Sequence, residues 1–197
     1  QNVRYLNDQY FHDLLTWYHI AWLGHSVKQL PIIQDLIKKG HDFNEEDRSG
    51  LIGVFDNIFG SLIERYRRLA DRNQVELSMT PYAHPIVPLL LDFDSMHDAL
   101  PEAAAPAYPA YPGGEERAHW HLEYGIEVFE KFFHRRPQGV WLSEGAVSEK
   151  SVALLDQFDI KWTASGEGVW NNSTYLSDID VNDPDTRQNL FRCNHLP

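Results

Sequence analysis

Two short segments set side chains capable of chemistry among small or rigid neighbours. The first is Met79-Thr80-Pro81-Tyr82-Ala83-His84-Pro85. Its prolines would hold the His84 ring in one place. The second is Trp141-Leu142-Ser143-Glu144-Gly145-Ala146. A carboxylate just past a strand, followed by Gly and Ala, is poorly explained by packing, because small neighbours leave room for a ligand. Such a group is available to act on a bound ligand. The competing readings are a satisfied loop histidine at His84 and a glutamate that helps cap the helix starting near Ser148.

Other polar residues are less pointed. His119 and His121 stand two apart on a predicted helix and so face different sides. Glu115, His119 and Glu123 share one face and could hold a metal, but the same run suits a solvated face with i,i+4 pairs. We assign no metal to it. No Ser-His-Asp set and no phosphate-cradling glycine loop is present, and no cofactor is expected. Asp178, Asp180, Asp183 and Asp185 follow Glu144 closely, in a stretch that reads as polar loop, and none is assigned a role.

The elements that must position these residues follow from periodicity. Leu6, Tyr10, Leu14, Tyr18 and Trp22 mark a helix over about 4–23, stopped by Gly24. A short helix is expected at 28–39, ended by Gly40. Asn44 is a good N-cap, with Glu45, Glu46 and Asp47 at the positive helix end. The helix it opens repeats Leu51, Phe55, Ile58, Leu62, Tyr66 and Leu69 inward, with Arg65, Arg67, Arg68 and Arg72 on a solvated face. Residues 74–78 read as a strand, followed by an irregular loop. The proline-rich 100–114 is a surface excursion. A helix at 115–133 turns Ala118, Leu122, Ile126, Phe129 and Phe133 inward. Strands at 139–142 and 160–163 flank a helix capped by Ser148, with Val152 and Leu155 buried. That order implies parallel strands. From about 166 the chain reads as loop.

The 197 residues carry 17 Lys+Arg against 29 Asp+Glu, a net charge of −12. So acidic a chain is a poor match for nucleic acid, which needs a basic surface. No run of apolar residues is long enough to span a membrane. The one cysteine, Cys193, can neither staple the fold nor build a thiolate site. Aromatic residues make up 13%, enough for a large core or for a surface that stacks on rings. The chain opens on Gln1 without a charged-then-apolar leader, so a cytoplasmic location is expected. We expect an α/β fold: an incomplete (β/α) barrel over 74–197, with a helical segment at 1–73 packed on it. Together these would form one domain, truncated at both ends.

Three segments in order carry a resemblance. They are 74–90 (Gln-Val-Glu-Leu-Ser-Met-Thr-Pro-Tyr-Ala-His-Pro-Ile-Val-Pro-Leu-Leu), 111–117 (Tyr-Pro-Gly-Gly-Glu-Glu-Arg) and 137–148 (Pro-Gln-Gly-Val-Trp-Leu-Ser-Glu-Gly-Ala-Val-Ser). Together they resemble glycoside hydrolase family 57, which holds α-amylases, 4-α-glucanotransferases, branching enzymes and amylopullulanases. Trp17-Tyr-His-Ile-Ala-Trp-Leu-Gly and Ile37-Lys-Lys-Gly-His-Asp-Phe resemble its amylase-like members.

The resemblance implies a seven-stranded barrel and a retaining α-glucan-active enzyme. Glu144, in Trp141-Leu-Ser-Glu144, would be the nucleophile that forms a covalent glycosyl-enzyme. His84 would hydrogen-bond sugar hydroxyls, Trp141 would stack on a sugar face, and Trp22 is a further candidate for a pocket wall. Glu76, mid-strand, is read as structural. The partners implied are an α-glucan or maltooligosaccharide and the remainder of the chain's own catalytic domain. The family's first motif and the one bearing the acid/base Asp are not found here, and Leu142 stands where Pro is usual. The chain alone is therefore expected not to hydrolyse glycosides. The alternatives are a transferase or branching enzyme, and a non-catalytic carbohydrate-binding relative.

Overall fold

The computed structural model describes residues 6–177, 179, 180, 183 and 184. Cys193, Asp178, Asp185 and the expected helix start near Arg4 lie outside them. The chain divides into two compact units after Arg65.

The first unit holds α1 (Asp8–Trp22), the single turn α2 (His25–Lys28), α3 (Pro31–Lys39) and most of α4 (Glu45–Asp71). Asn7 caps α1 by accepting from the Tyr10 amide at 2.9 Å. Pro31 opens α3, and Gly40 ends it in a positive-φ conformation. Ile20, Ile33, Leu36, Phe43, Leu51 and Val54 form the core. The 41–43 turn is tied to α1 through Asp13, whose carboxylate accepts from the Asp42 and Phe43 amides at 3.0 and 2.9 Å.

The expected inward face of α1 is turned to solvent instead. Tyr10, Leu14, Tyr18 and Trp22 are all exposed, and Thr16 and Ile20 are buried. A step of four residues overshoots the helical repeat by about 40° each time. Four steps turn through about 160°, so the five share one broad face, and that face lies opposite the buried Thr16 and Ile20.

The second unit carries α5 (Val87–Leu91), a 3₁₀ turn at Phe93–Ser95, α6 (Met96–Ala99), α7 (Gly114–Phe133), β1 (Gly139–Val140), α8 (Glu149–Gln157), β2 (Trp162–Thr163) and α9 (Glu167–Leu176). Ala118, Leu122, Ile126 and Phe129 of α7 are buried, as the periodicity predicts. They pack with Met79, Val87, Val140, Leu142, Leu154 and Leu155. Each large member contributes about 1.5–3 kcal/mol by leaving water. Ser148 caps α8 in a full capping box with Ser151. At the end of α4, Arg67 is half-buried and donates to the Phe132 carbonyl at 2.6 Å, so the expected solvated arginine face is interrupted there.

The sheet is small. β1 and β2 pair in parallel, Gly139 with Trp162 and Val140 with Thr163. Met79 adds one parallel bridge to Val140. The fold is therefore mostly helical α/β, and the described residues form no barrel. The strand expected at 74–78 makes no ladder. Its Glu76 accepts instead from the Trp162 indole at 2.5 Å, a structural contact.

Two loop expectations also change. The segment after Pro85 is partly helical, because Pro88 sits in the first turn of α5, where its missing N–H costs nothing. The Asn-rich tail forms α9 despite weak intrinsic propensity. It packs on α6, and Asn172 donates to the Ala99 carbonyl at 3.0 Å.

Gly114 opens α7 flush against α5. A Cβ there would lie 1.8 Å from the Leu90 carbonyl oxygen, which is backbone and cannot rotate away. Gly114→Ala is expected to destabilise the chain by about 3 kcal/mol, read by urea denaturation. Gly53→Ala, in open space on α4, should instead be neutral or stabilising by up to about 1 kcal/mol.

Lys150 of α8 reaches back to Asp92 at the end of α5, 2.6 Å away. Its ammonium holds the Asp92 carboxyl below the ordinary 3.8, helped by the Asp94 amide. Asp92 in turn holds Lys150 above 10.5. The carboxyl's contribution is present above its unfolded value and lost as pH falls through the lower folded one. The lysine's is present below 10.5 and lost as pH rises through the higher folded one. The stability difference between the native chain and Asp92→Asn should therefore be flat at neutral pH and shrink below 3.8 and above 10.5. Lys150 is exposed and Asp92 half-buried, so added salt should shrink it as well.

Candidate active site

The bridge between Met79 and Val140 sets two loops side by side. The Met79 amide donates to the Gly139 carbonyl at 3.2 Å, and the Trp141 amide donates to the Met79 carbonyl at 2.8 Å. Both chains leave the sheet in the same direction. The loop 80–84 therefore follows one strand end, and the 3₁₀ turn Ser143–Gly145 follows its neighbour. The carboxyl ends of adjacent parallel strands are where α/β folds gather ligands.

Alternation along the second segment aims its side chains. Val140 and Leu142 are fully buried, and Trp141 between them is 45% exposed. Leu142 thus anchors the strand end in the core and turns Trp141 outward. Ser143 is buried, and Glu144 then projects in a left-handed conformation with φ 57° and ψ 15°. Gly145 follows at φ 66°, where a Cβ would be strained.

The first loop mirrors this. Ala83 and His84 also hold positive φ, at 59° and 58°. Three of the seven non-glycine left-handed residues among those described thus fall in these two loops. Each costs about 1–2 kcal/mol. Strain of this kind persists where the surroundings enforce it, which is common at functional sites.

Helix α7 supplies the enforcement. The Tyr82 amide donates to the His121 carbonyl at 3.0 Å, and His121 Nδ1 donates to the Tyr82 carbonyl at 2.7 Å. Gly125 lets the loop approach closely, since a Cβ there would meet Met79 Cε at 2.7 Å and the Tyr82 nitrogen at 3.1 Å. Tyr82 packs edge-on against Trp120 and Tyr124. His84 is thereby held with its Nε2 3.0 Å from Glu144 Oε1. A carboxylate only accepts, so His84 carries a proton on Nε2. Both side chains are well exposed, 56% and 74%. An exposed pair of this kind adds at most about 1 kcal/mol of stability. Its effect is to orient the carboxylate.

The structure thus brings His84 and Glu144 together and puts Trp141 in the same strand-end segment. Trp22, at the end of α1 in the first unit, is 77% exposed and tilted against Tyr18 at 6.2 Å. Trp17, from the same motif, is a brace: its indole donates to the Gly40 carbonyl at 2.7 Å. Among the described residues, no three His, Cys, Asp or Glu side chains are grouped to hold a metal. His119 packs instead beside the Phe158 ring.

Sequence reasoning missed residues on the loop after β2. Ser165 donates to the Gly145 carbonyl at 2.6 Å and ties that loop to the Glu144 turn. The hydroxyls of Ser143 and Thr163, past β1 and in β2, are buried without a protein partner. An isolated serine or threonine in sequence carries no signal for either role. Two surface hollows lie along α7, of about 550 and 490 Å³, and Glu144 lines neither.

Comparison with known proteins gives one family. Residues 7–189 match the family model for glycosyl hydrolase family 57. No curated protein and no solved structure matches the chain. The match spans the helices of the first unit as well as the two loops that bring His84 to Glu144, and on that coverage the chain belongs to glycosyl hydrolase family 57.

Proposed function

We propose that the chain is part of the catalytic domain of a retaining, α-amylase-like enzyme, with Glu144 as its nucleophile. Family membership makes glycosidic bonds in α-glucans the general target. The observation that carries the finer reading is the 3.0 Å contact between His84 and Glu144, made by two strained loops at neighbouring strand ends.

The chemistry runs in two steps. A Glu144 oxygen attacks the anomeric carbon as the bond to the leaving oxygen breaks, and a separate acid gives that oxygen its proton. The glycosyl ester is then released by water or by a sugar hydroxyl. A water-terminated reaction is hydrolysis; a sugar-terminated one is glucan transfer. His84 donates to one Glu144 oxygen and leaves the other to attack, while its ring is placed to bond sugar hydroxyls. Trp141 offers a ring face to the sugar. The acid must keep its proton through a raised pKa, and it comes from the remainder of the catalytic domain. The α-glucan closes on this site together with the remainder of the catalytic domain, within a barrel to which these strands contribute.

A 2-deoxy-2-fluoroglucosyl fluoride with α configuration tests the nucleophile without the acid, because fluoride leaves unaided. Intact-mass and peptide analysis should find one fluoroglucosyl ester on Glu144 and none after Glu144→Gln. His84→Ala should slow labelling about tenfold. An ester on another residue would rule Glu144 out. Saturable maltoheptaose binding with no labelling would favour the non-catalytic carbohydrate-binding alternative. With natural maltooligosaccharides, the chain alone should show no turnover; turnover abolished by Glu144→Gln would contradict that expectation.

A further inference from the structure

The larger hollow on the second unit lies beside the loop that carries His84, yet the proposed chemistry does not use it. It is a shallow depression open to solvent, of about 550 Å³, lined by Pro112, Gly113, Glu116, Arg117, Trp120 and His121. Its wall is an aromatic group. Trp120 is stacked on Tyr124 at 5.4 Å and 12°, and Tyr82 stands edge-on to both. Even so, Trp120 remains 49% exposed. A large ring braced on two sides and left half in water offers a rigid flat face, with little entropy left to lose on binding.

The polar groups around that face suit hydroxyls. His121 Nδ1 is committed to the Tyr82 carbonyl, which fixes its proton there and leaves Nε2 as the ring's second polar atom. Arg117 lies over the Tyr111 ring at 5.6 Å, which steadies its guanidinium fork. Glu116 adds an acceptor. Donors and an acceptor around an aromatic plate match a pyranose ring, which has apolar C–H faces and an equator of hydroxyls. They match an anion poorly, because Glu116 and the chain's net charge of −12 oppose it.

The hollow is linked to the site above through Tyr82. Tyr82 touches Trp120 by its ring and His121 by its backbone, and His84 lies two residues on. We infer that this hollow is a second carbohydrate subsite, which takes one ring of an α-glucan against Trp120 while another part of the same chain lies at Glu144. The inference rests on the α-glucan-active reading for its choice of sugar.

Maltoheptaose titrated into the ¹⁵N-labelled 197-residue chain tests both readings separately. The indole N–H signals of Trp120 and Trp141 are assigned with Trp120→Phe and Trp141→Phe. Saturable shifts at Trp120 are expected, with an affinity, read from backbone amide shifts around His121, about tenfold weaker in Trp120→Ala and about threefold weaker in Arg117→Ala. Arg117 is exposed, so its variant should keep the native spectrum if Trp120→Ala does not fold. Shifts at Trp141 alone would overturn the subsite and leave the Glu144 site standing. Shifts at Trp120 alone would support the subsite and count against the Glu144 site. If neither signal moves, the subsite is overturned together with the sugar-binding role of Trp141.

Discussion

The parallel bridge between Met79 and Val140 is the contact on which the second unit's geometry depends. It is one bridge, not a ladder, and alone it would not hold. Its stability comes from around it: both residues are buried, against Leu122, Ile126 and Phe129 of α7 and Leu154 and Leu155 of α8. Apolar burial thus fixes a backbone register. That register sends two loops out from neighbouring strand ends on the same side. A slip of one residue would turn Trp141 into the core and Leu142 into water.

A second constraint acts on the loops. Ala83, His84 and Glu144 adopt a backbone conformation that non-glycine residues avoid. At Ala83 and His84 the fold meets that cost through close packing of their loop against Gly125 and through reciprocal hydrogen bonds between Tyr82 and His121. The same helix therefore braces the histidine and presents the aromatic hollow on its flank. Electrostatics plays a lesser part, because the His84–Glu144 pair is exposed and its attraction is screened.

Family membership and the local geometry answer different questions. The match over residues 7–189 establishes glycosidic chemistry as the setting. The geometry of the two loops names the atoms on which the proposed function rests. Among the described residues the sheet is two short parallel strands in a mostly helical α/β fold.

Much of the local structure was legible in the residues. Asn44, Gly40 and Ser148 mark helix ends through capping chemistry that acts within a few residues. The inward face of α7 follows from its 3.6-residue repeat, and Glu144 and His84 stood out by their neighbours. The exposed face of α1, the helix α9 and the single bridge at Met79 were not legible. Each depends on what packs against it. A four-residue apolar step does not say which side a neighbour will cover, and an Asn-rich stretch becomes helical only because α6 receives it. The 3.0 Å approach of His84 to Glu144 joins residues sixty apart. Tertiary packing alone decided it, because no local interaction spans that separation.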